Sequence, residues 1–254
     1  MPPSGHDSKP ISAKASASAT DWTMLRAAAG SGPGARASLE AVAQRYWGAV
    51  FAFVRATGQS PEDAADLAQG FMADVLLGRS LLAKADARRG RFRSLLRQSV
   101  VNYVRDRIRH ERSRKRGPGD GHVASGVSGA LESLPASRTA RAERVFDAQW
   151  AAQVVRVAGE RAELRCRREG RDIAWLAFQR RTLRPQLFGD APVPYNDLVR
   201  TLELESIGQA AHLAIVGRRI FVEELLEEVR TTLGPDDDVN EELRALIAAV
   251  ENPR

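Results

Sequence analysis

The feature that most limits how this chain can fold is a run of arginines laid over an apolar stripe. Between Phe92 and Arg114, the residues Phe92, Leu95, Leu96, Ser99, Val100, Tyr103, Val104 and Ile108 recur at three- and four-residue steps, while Arg93, Arg97, Arg105, Arg107 and Arg109 fall off the stripe. That spacing puts the apolar groups on one side of an α-helix and the cations on the others. The helix spans roughly 34 Å, with one face to pack and one to keep charged. A disordered basic tail has no such stripe. Residues 88–116 hold 12 basic and 2 acidic side chains, whereas residues 223–254 hold 3 basic and 10 acidic, within a chain whose net charge is only +6. A packed helix with so much positive charge suits a polyanion. Of the 38 basic residues 34 are arginine, and its planar donor fork fits phosphate and guanine.

The remaining periodicity is also helical. Thr20 or Asp21 can cap a first helix bearing Trp22, Met24 and Leu25, and the cluster Gly30-Ser31-Gly32-Pro33-Gly34 breaks it. No strand precedes that cluster and no Gly-Lys-Ser/Thr follows, so it reads as a helix–helix connection, not a phosphate loop. Leu39, Val42, Ala43, Tyr46, Trp47, Val50, Phe51 and Val54 mark a second helix over 35–55, closed by Gly58. Ser60-Pro61-Glu62-Asp63 opens a third, with serine as N-cap, proline at the first helical position and acids near the positive end of the dipole. Its stripe is Ala64, Leu67, Phe71, Val75 and Leu76, and Gly78 ends it.

Further helices are marked by Val145, Phe146, Trp150, Val154, Val155 and Val157, and by Ile173, Leu176, Ala177 and Phe178. Tyr195 to Leu202, a Glu203-Leu204-Glu205 turn and Ser206 to Leu226 read as helix, turn, helix. No segment alternates with period two. The expected fold is therefore all-α, in two helical domains joined by a flexible linker. The expected organisation is a disordered leader (1–19), a first domain (20–117), a linker (118–140), a second domain (141–232) with a helix-turn-helix at 195–221, and an acidic tail (233–254).

Several function classes are disfavoured. The single cysteine, Cys166, excludes an internal disulfide framework and a multi-thiolate metal cluster. His6, His110, His122 and His212 are scattered and lack partners at ligand spacing. There is no serine elbow and no glycine-rich nucleotide fingerprint. We expect no catalysis, metal, cofactor or small-molecule substrate. No apolar run approaches the ~18 residues that span a bilayer, and the N-terminus lacks a secretory pattern. No membrane insertion and a cytoplasmic location are expected.

Spacing alone leaves Asp63, Asp66 and Gln69 as one polar flank of a helix. The string Asp63-Ala64-Ala65-Asp66-Leu67-Ala68-Gln69, however, resembles the D-A-x-D-L-x-Q signature of region two in bacterial sigma factors of the extracytoplasmic-function type. Arg89-Gly90-Arg91-Phe92-Arg93-Ser94-Leu95-Leu96 is similar to that family's R-G-x-F-R-x-W-L, Asn102 and Asp106 to its N-x-x-x-D, and Lys115-Arg116-Gly117 to its basic helix end. Tyr46-Trp47 and Phe51 to Arg55 resemble the preceding region-two helix. Phe146-Asp147 with Trp150, and Val239-Asn240-Glu241-Glu242-Leu243-Arg244, resemble a subgroup with an extended C-terminus. These motifs lie in order across residues 21–250.

The resemblance implies a subunit that binds core RNA polymerase and promoter DNA, with an anti-sigma factor as a further partner. Asp63, Asp66, Leu67, Gln69 and Phe71 become core-polymerase contacts. Arg89, Arg91, Arg93, Arg97, Asn102, Arg105, Arg109, Arg218 and Arg219 become DNA contacts, with base reading assigned to the 79–91 loop and Asn102. Two departures stand out. Leu95 replaces an aromatic residue of many relatives, and the helix from Ile207 to Ile220 contains Gly208 and Gly217 with few cations before Arg218. The alternatives are a stand-alone DNA-binding regulator and a degenerate sigma-like interaction protein. The acidic end has two readings: a solvated tail, or a segment that docks on the basic helix and damps DNA binding.

Overall fold

The computed structural model describes residues 21–30, 33–78, 81–82, 85, 91–116, 134–234 and 236–251. Ten α-helices are present among them: α1 (Asp21–Ala29), α2 (Pro33–Ala56), α3 (Pro61–Phe71), α4 (Phe92–Arg116), α5 (Ala136–Arg168), α6 (Asp172–Phe178), α7 (Arg184–Phe188), α8 (Tyr195–Thr201), α9 (Ile207–Thr231) and α10 (Val239–Glu251). Wider π turns extend α3 over Met72–Leu77 and join α6 to α7 over Gln179–Leu183. Among the described residues there is no strand, so the chain is all-α.

Local chemistry accounts for the boundaries. Ser60 caps α3: its Oγ accepts from the Asp63 N–H at 3.0 Å, and Pro61 occupies the first turn where its missing N–H is harmless. Gly58 has φ +96°, a left-handed conformation that turns the chain away from the end of α2. Ser206 caps α9 in the same way, accepting from Gln209 N–H at 3.2 Å, while Gln209 Oε1 accepts from the Glu205 N–H.

The core is built around α2 and α5. Tyr46, Val50, Phe53 and Val54 of α2 are buried, as are Phe146, Trp150 and Val154 of α5, and the two helices pack along each other. The 33-residue α5, roughly 50 Å long, also packs on α6, α9 and α10. One contiguous set of buried side chains consequently runs from Leu25 to Leu246. The expected division into two domains is not visible in this core. Of the expected linker, residues 118–133 lie outside the described residues, and Ala136 to Ala140 already form the first turn of α5. Periodicity reveals that a helix has an apolar face; it does not reveal that one helix serves two neighbours. The expected leader also lies outside the described residues.

A buried charge pins the helices together. Glu228 of α9 is 0% exposed and sits between Arg45 of α2 (2.6 Å) and Arg161 of α5 (2.7 Å). An isolated carboxylate there is strongly disfavoured, and the two guanidinium groups offset its lost hydration. Gly217, an apparent flaw in α9, is where α9 meets α6. A Cβ at this position lies 2.3 Å from the Ala174 carbonyl oxygen and 2.8 Å from Phe178 Cβ. The roughly 1 kcal/mol that glycine costs in a helix is offset by this close approach. Helix α8 and the N-terminal half of α9 sit at the edge: Leu198, Ala210 and Ala214 are buried apart from the main cluster.

Of the two readings of the acidic tail, the solvated one does not describe residues 239–251. Val239–Glu251 is a docked helix: Leu246 and Glu242 are buried, and Val239, Leu243 and Ala249 pack on the core.

Candidate nucleic-acid interface

The apolar stripe of α4 is buried at Phe92, Leu96, Val100 and Val104, where it meets Tyr46 and the α3 face. Its cations divide into two groups along the helix.

The first group lies at the N-terminal turn. Arg93 is 9% exposed in its side chain; its Nη1 donates to Asp147 Oδ1 at 2.6 Å and its Nη2 lies 3.2 Å from Glu242 Oε1. Its guanidinium carbon stands 4.1 Å from the ring centroid of Trp150, a cation–π contact on the desolvated side. Arg91 reaches Glu242 (2.7 Å) and Glu241 (2.8 Å), with Asp237 at 4.0 Å. Arg97 donates to the second oxygen of Asp147. Three stretches far apart in sequence therefore meet at one joint: Arg91 to Arg97, Asp147 to Trp150, and Asp237 to Glu242. Beside it, a cleft of about 700 Å³ is lined by Arg93, Arg97, Arg144 and Asp147 on one side and by Ala245, Ala248 and Ala249 of α10 on the other.

The second group lies further along α4. Arg105 is exposed, as is Asn102, whose Oδ1 accepts from Gln98 at 3.2 Å. Arg109 pairs with Asp106 one turn back, with both side chains mostly in solvent. Arg107 donates to Asp74 at 2.8 Å, and the Tyr103 hydroxyl donates to the same carboxylate at 3.2 Å. Burial raises the Tyr103 pKa above the usual phenol value, with Arg107 pulling against it. On α9, Arg218 and Arg219 are exposed, Arg219 at 4.0 Å from Glu223. Arg89 and most of the 79–91 loop lie outside the described residues; Leu81 and Leu82 within it are buried.

On α3, Asp66 and Gln69 are exposed and Leu67 is half-buried, so three of the five expected polymerase contacts share an accessible flank. Asp63 is also exposed but serves the cap, accepting from Ser60 Oγ at 2.9 Å. Phe71 is a correction. It is 0% exposed, edge-on to Tyr103 at 5.6 Å between centroids, so it holds α3 against α4 and offers no surface to a partner.

Arg93 is likewise a buried anchor, not a solvated helix charge. Its pairing with Asp147 leaves no signal in the sequence, whereas Glu242 belongs to the acidic end that one of the two readings docks on the basic helix. Cys166 is buried, and burial pushes its thiol pKa up, away from reactivity. Among the described residues, no group of three or more acidic, histidine or cysteine side chains is placed to hold a metal ion, and no helix is long and apolar enough to cross a membrane. Compared with protein-family models, curated proteins and solved structures, the chain matches none.

Proposed function

We propose that this chain is a promoter-specificity subunit of bacterial RNA polymerase, similar to sigma factors of the extracytoplasmic-function type. It binds core polymerase through α3 and directs initiation at a subset of promoters; the chemistry belongs to the polymerase. The observation that carries this reading is the pairing of two adjacent helices. The flank of α3 bearing Asp66, Leu67 and Gln69 is accessible, and α4, packed beside it, carries Asn102, Arg105 and Arg109 in solvent. An apolar group flanked by hydrogen-bonding side chains suits a protein partner. Exposed guanidinium groups suit phosphates, which they neutralise with release of counterions. Sequence is then read from unstacked bases, by stacking and edge hydrogen bonds.

The test is transcription in vitro with core polymerase. The expected result is synthesis from a subset of promoters and co-purification with core. Absence of both overturns the reading. Asp66→Ala with Gln69→Ala should weaken core binding and leave the helical fold intact. A second reading is favoured by the internal pairing of Arg91, Arg93 and Arg97: an interaction protein that binds polymerase without reading promoters. Promoter binding in the presence of core separates the two.

A further inference from the structure

We infer that α10 is a displaceable acidic latch, occupying with its carboxylates the arginines at the start of α4 that phosphates of nucleic acid would otherwise take. The inference deepens the proposed function and rests on it. Glu242 contacts both Arg91 and Arg93, and Glu241 and Asp237 complete the shell around Arg91. Carboxylates thus stand where phosphate oxygens would stand, at distances and in a geometry a phosphate shares.

Two further features make the seat releasable. α10 is held by a narrow stripe, and its Ile247 and Val250 are exposed at 51% and 37%. Its edge toward the cleft carries Ala245, Ala248 and Ala249, so Arg144, and Arg97 with its partner Asp147, line the open space beside it. An incoming backbone can engage those two arginines first and then compete for Arg91 and Arg93. The competition is one of like with like: a polyanion brings many charges and releases counterions, whereas α10 brings two carboxylates, with Asp237 just before it, held in the same chain. Asp147 stays with Arg93 throughout, so the joint loses α10 without leaving Arg93 unpaired.

The test uses the full chain and a fluorescent single-stranded DNA, titrated across a range of salt. Glu241→Gln with Glu242→Gln should bind about tenfold more tightly than the parent, as expected if the open form rises from roughly a tenth to most of the population. The slope of log affinity against log salt should steepen by about one, for Arg91, since Asp147 keeps its hold on Arg93. In the parent, DNA should strip amide-exchange protection from residues 239–251. Because Glu242 is buried, its loss can weaken the fold; Asp237→Asn with Glu241→Gln keeps Glu242 and should show a gain of about threefold, by the same population argument. Equal affinity for parent and variants, or DNA bound with α10 still protected, overturns the latch. Transcription with core polymerase judges the proposed function separately, so a sigma subunit without a latch and a latched protein that is no sigma subunit give different results.

Discussion

Helices α4 and α9 are each 25 residues long, and both were expected to meet DNA, yet they use their charges differently. α4 commits its N-terminal arginines to partners inside the molecule and leaves Arg105 and Arg109 outside. α9 does the reverse in both sign and direction. Its C-terminal Glu228 is fully buried between two arginines, while its N-terminal half exposes Ile207 and Ile215 at 53% and 66% with few cations. In both helices, part of the charge that looks like surface in the sequence is a structural joint. The difference is in what the rest of each helix exposes: Asn102, Arg105 and Arg109 on α4, and on α9 the apolar Ile207 and Ile215 ahead of Arg218 and Arg219. On the proposed function, phosphate contact falls chiefly to α4. The exposed start of α9 is chemically closer to a protein-contacting surface than to a groove-reading one.

The contrast is open to direct attack. The largest effect should come from the α9 joint. Glu228→Ala leaves Arg45 and Arg161 facing a void and should lower stability by about 3–5 kcal/mol in denaturant unfolding, as breaking one side of a buried ion pair does. Gly217→Ala should be next. Its methyl meets the Ala174 backbone, and a loss of about 1–3 kcal/mol is expected. A neutral or stabilising result would show that α9 does not need its close seat on α6. Arg105→Ala with Arg109→Ala should leave stability within about 0.5 kcal/mol, while lowering DNA affinity and flattening the salt slope by about two. The same change at Arg218 and Arg219 should have a smaller effect on DNA binding if α4 is the main cationic surface. Smallest is a spectroscopic mark. Tyr103 should titrate above the ordinary phenol value in an absorbance titration. Because its folded pKa is raised, the unfolded chain gives up its proton first. The associated stability is present below pH 10 and falls as pH rises past it.

Much of this was legible in the sequence, because it depends on near neighbours. The α3 cap at Ser60, the left-handed Gly58 and the turn at Glu203, which has φ +52°, are each determined within a few residues. The apolar stripe of α4 was readable for the same reason. What escaped reading depends on distance. Nothing near Gly217 indicates that Ala174 will lie against it. Nothing near Phe146 indicates that α5 will be shared by α2 and α9. The acidic end has two readings in the sequence because Glu241 and Glu242 resemble surface residues until Arg91 and Arg93 are brought beside them. Phe71 misled in the opposite direction: it stands in a motif that implied a partner surface, yet its own stripe placed it inside.

The joint between α4 and α10 also bears on how the chain folds. Arg93 and Glu242 are 149 residues apart, and Arg45 and Glu228 are 183 apart. Helices form within about a microsecond, but contacts at such separations wait on loop closure, which slows folding as contact order rises. An all-helical chain of this kind should therefore collapse early into a helix-rich intermediate whose arginine cluster is still bare, and close only when the distant carboxylates arrive. On the proposed latch, the last step of folding and the first step of nucleic-acid engagement are opposite movements of the same helix.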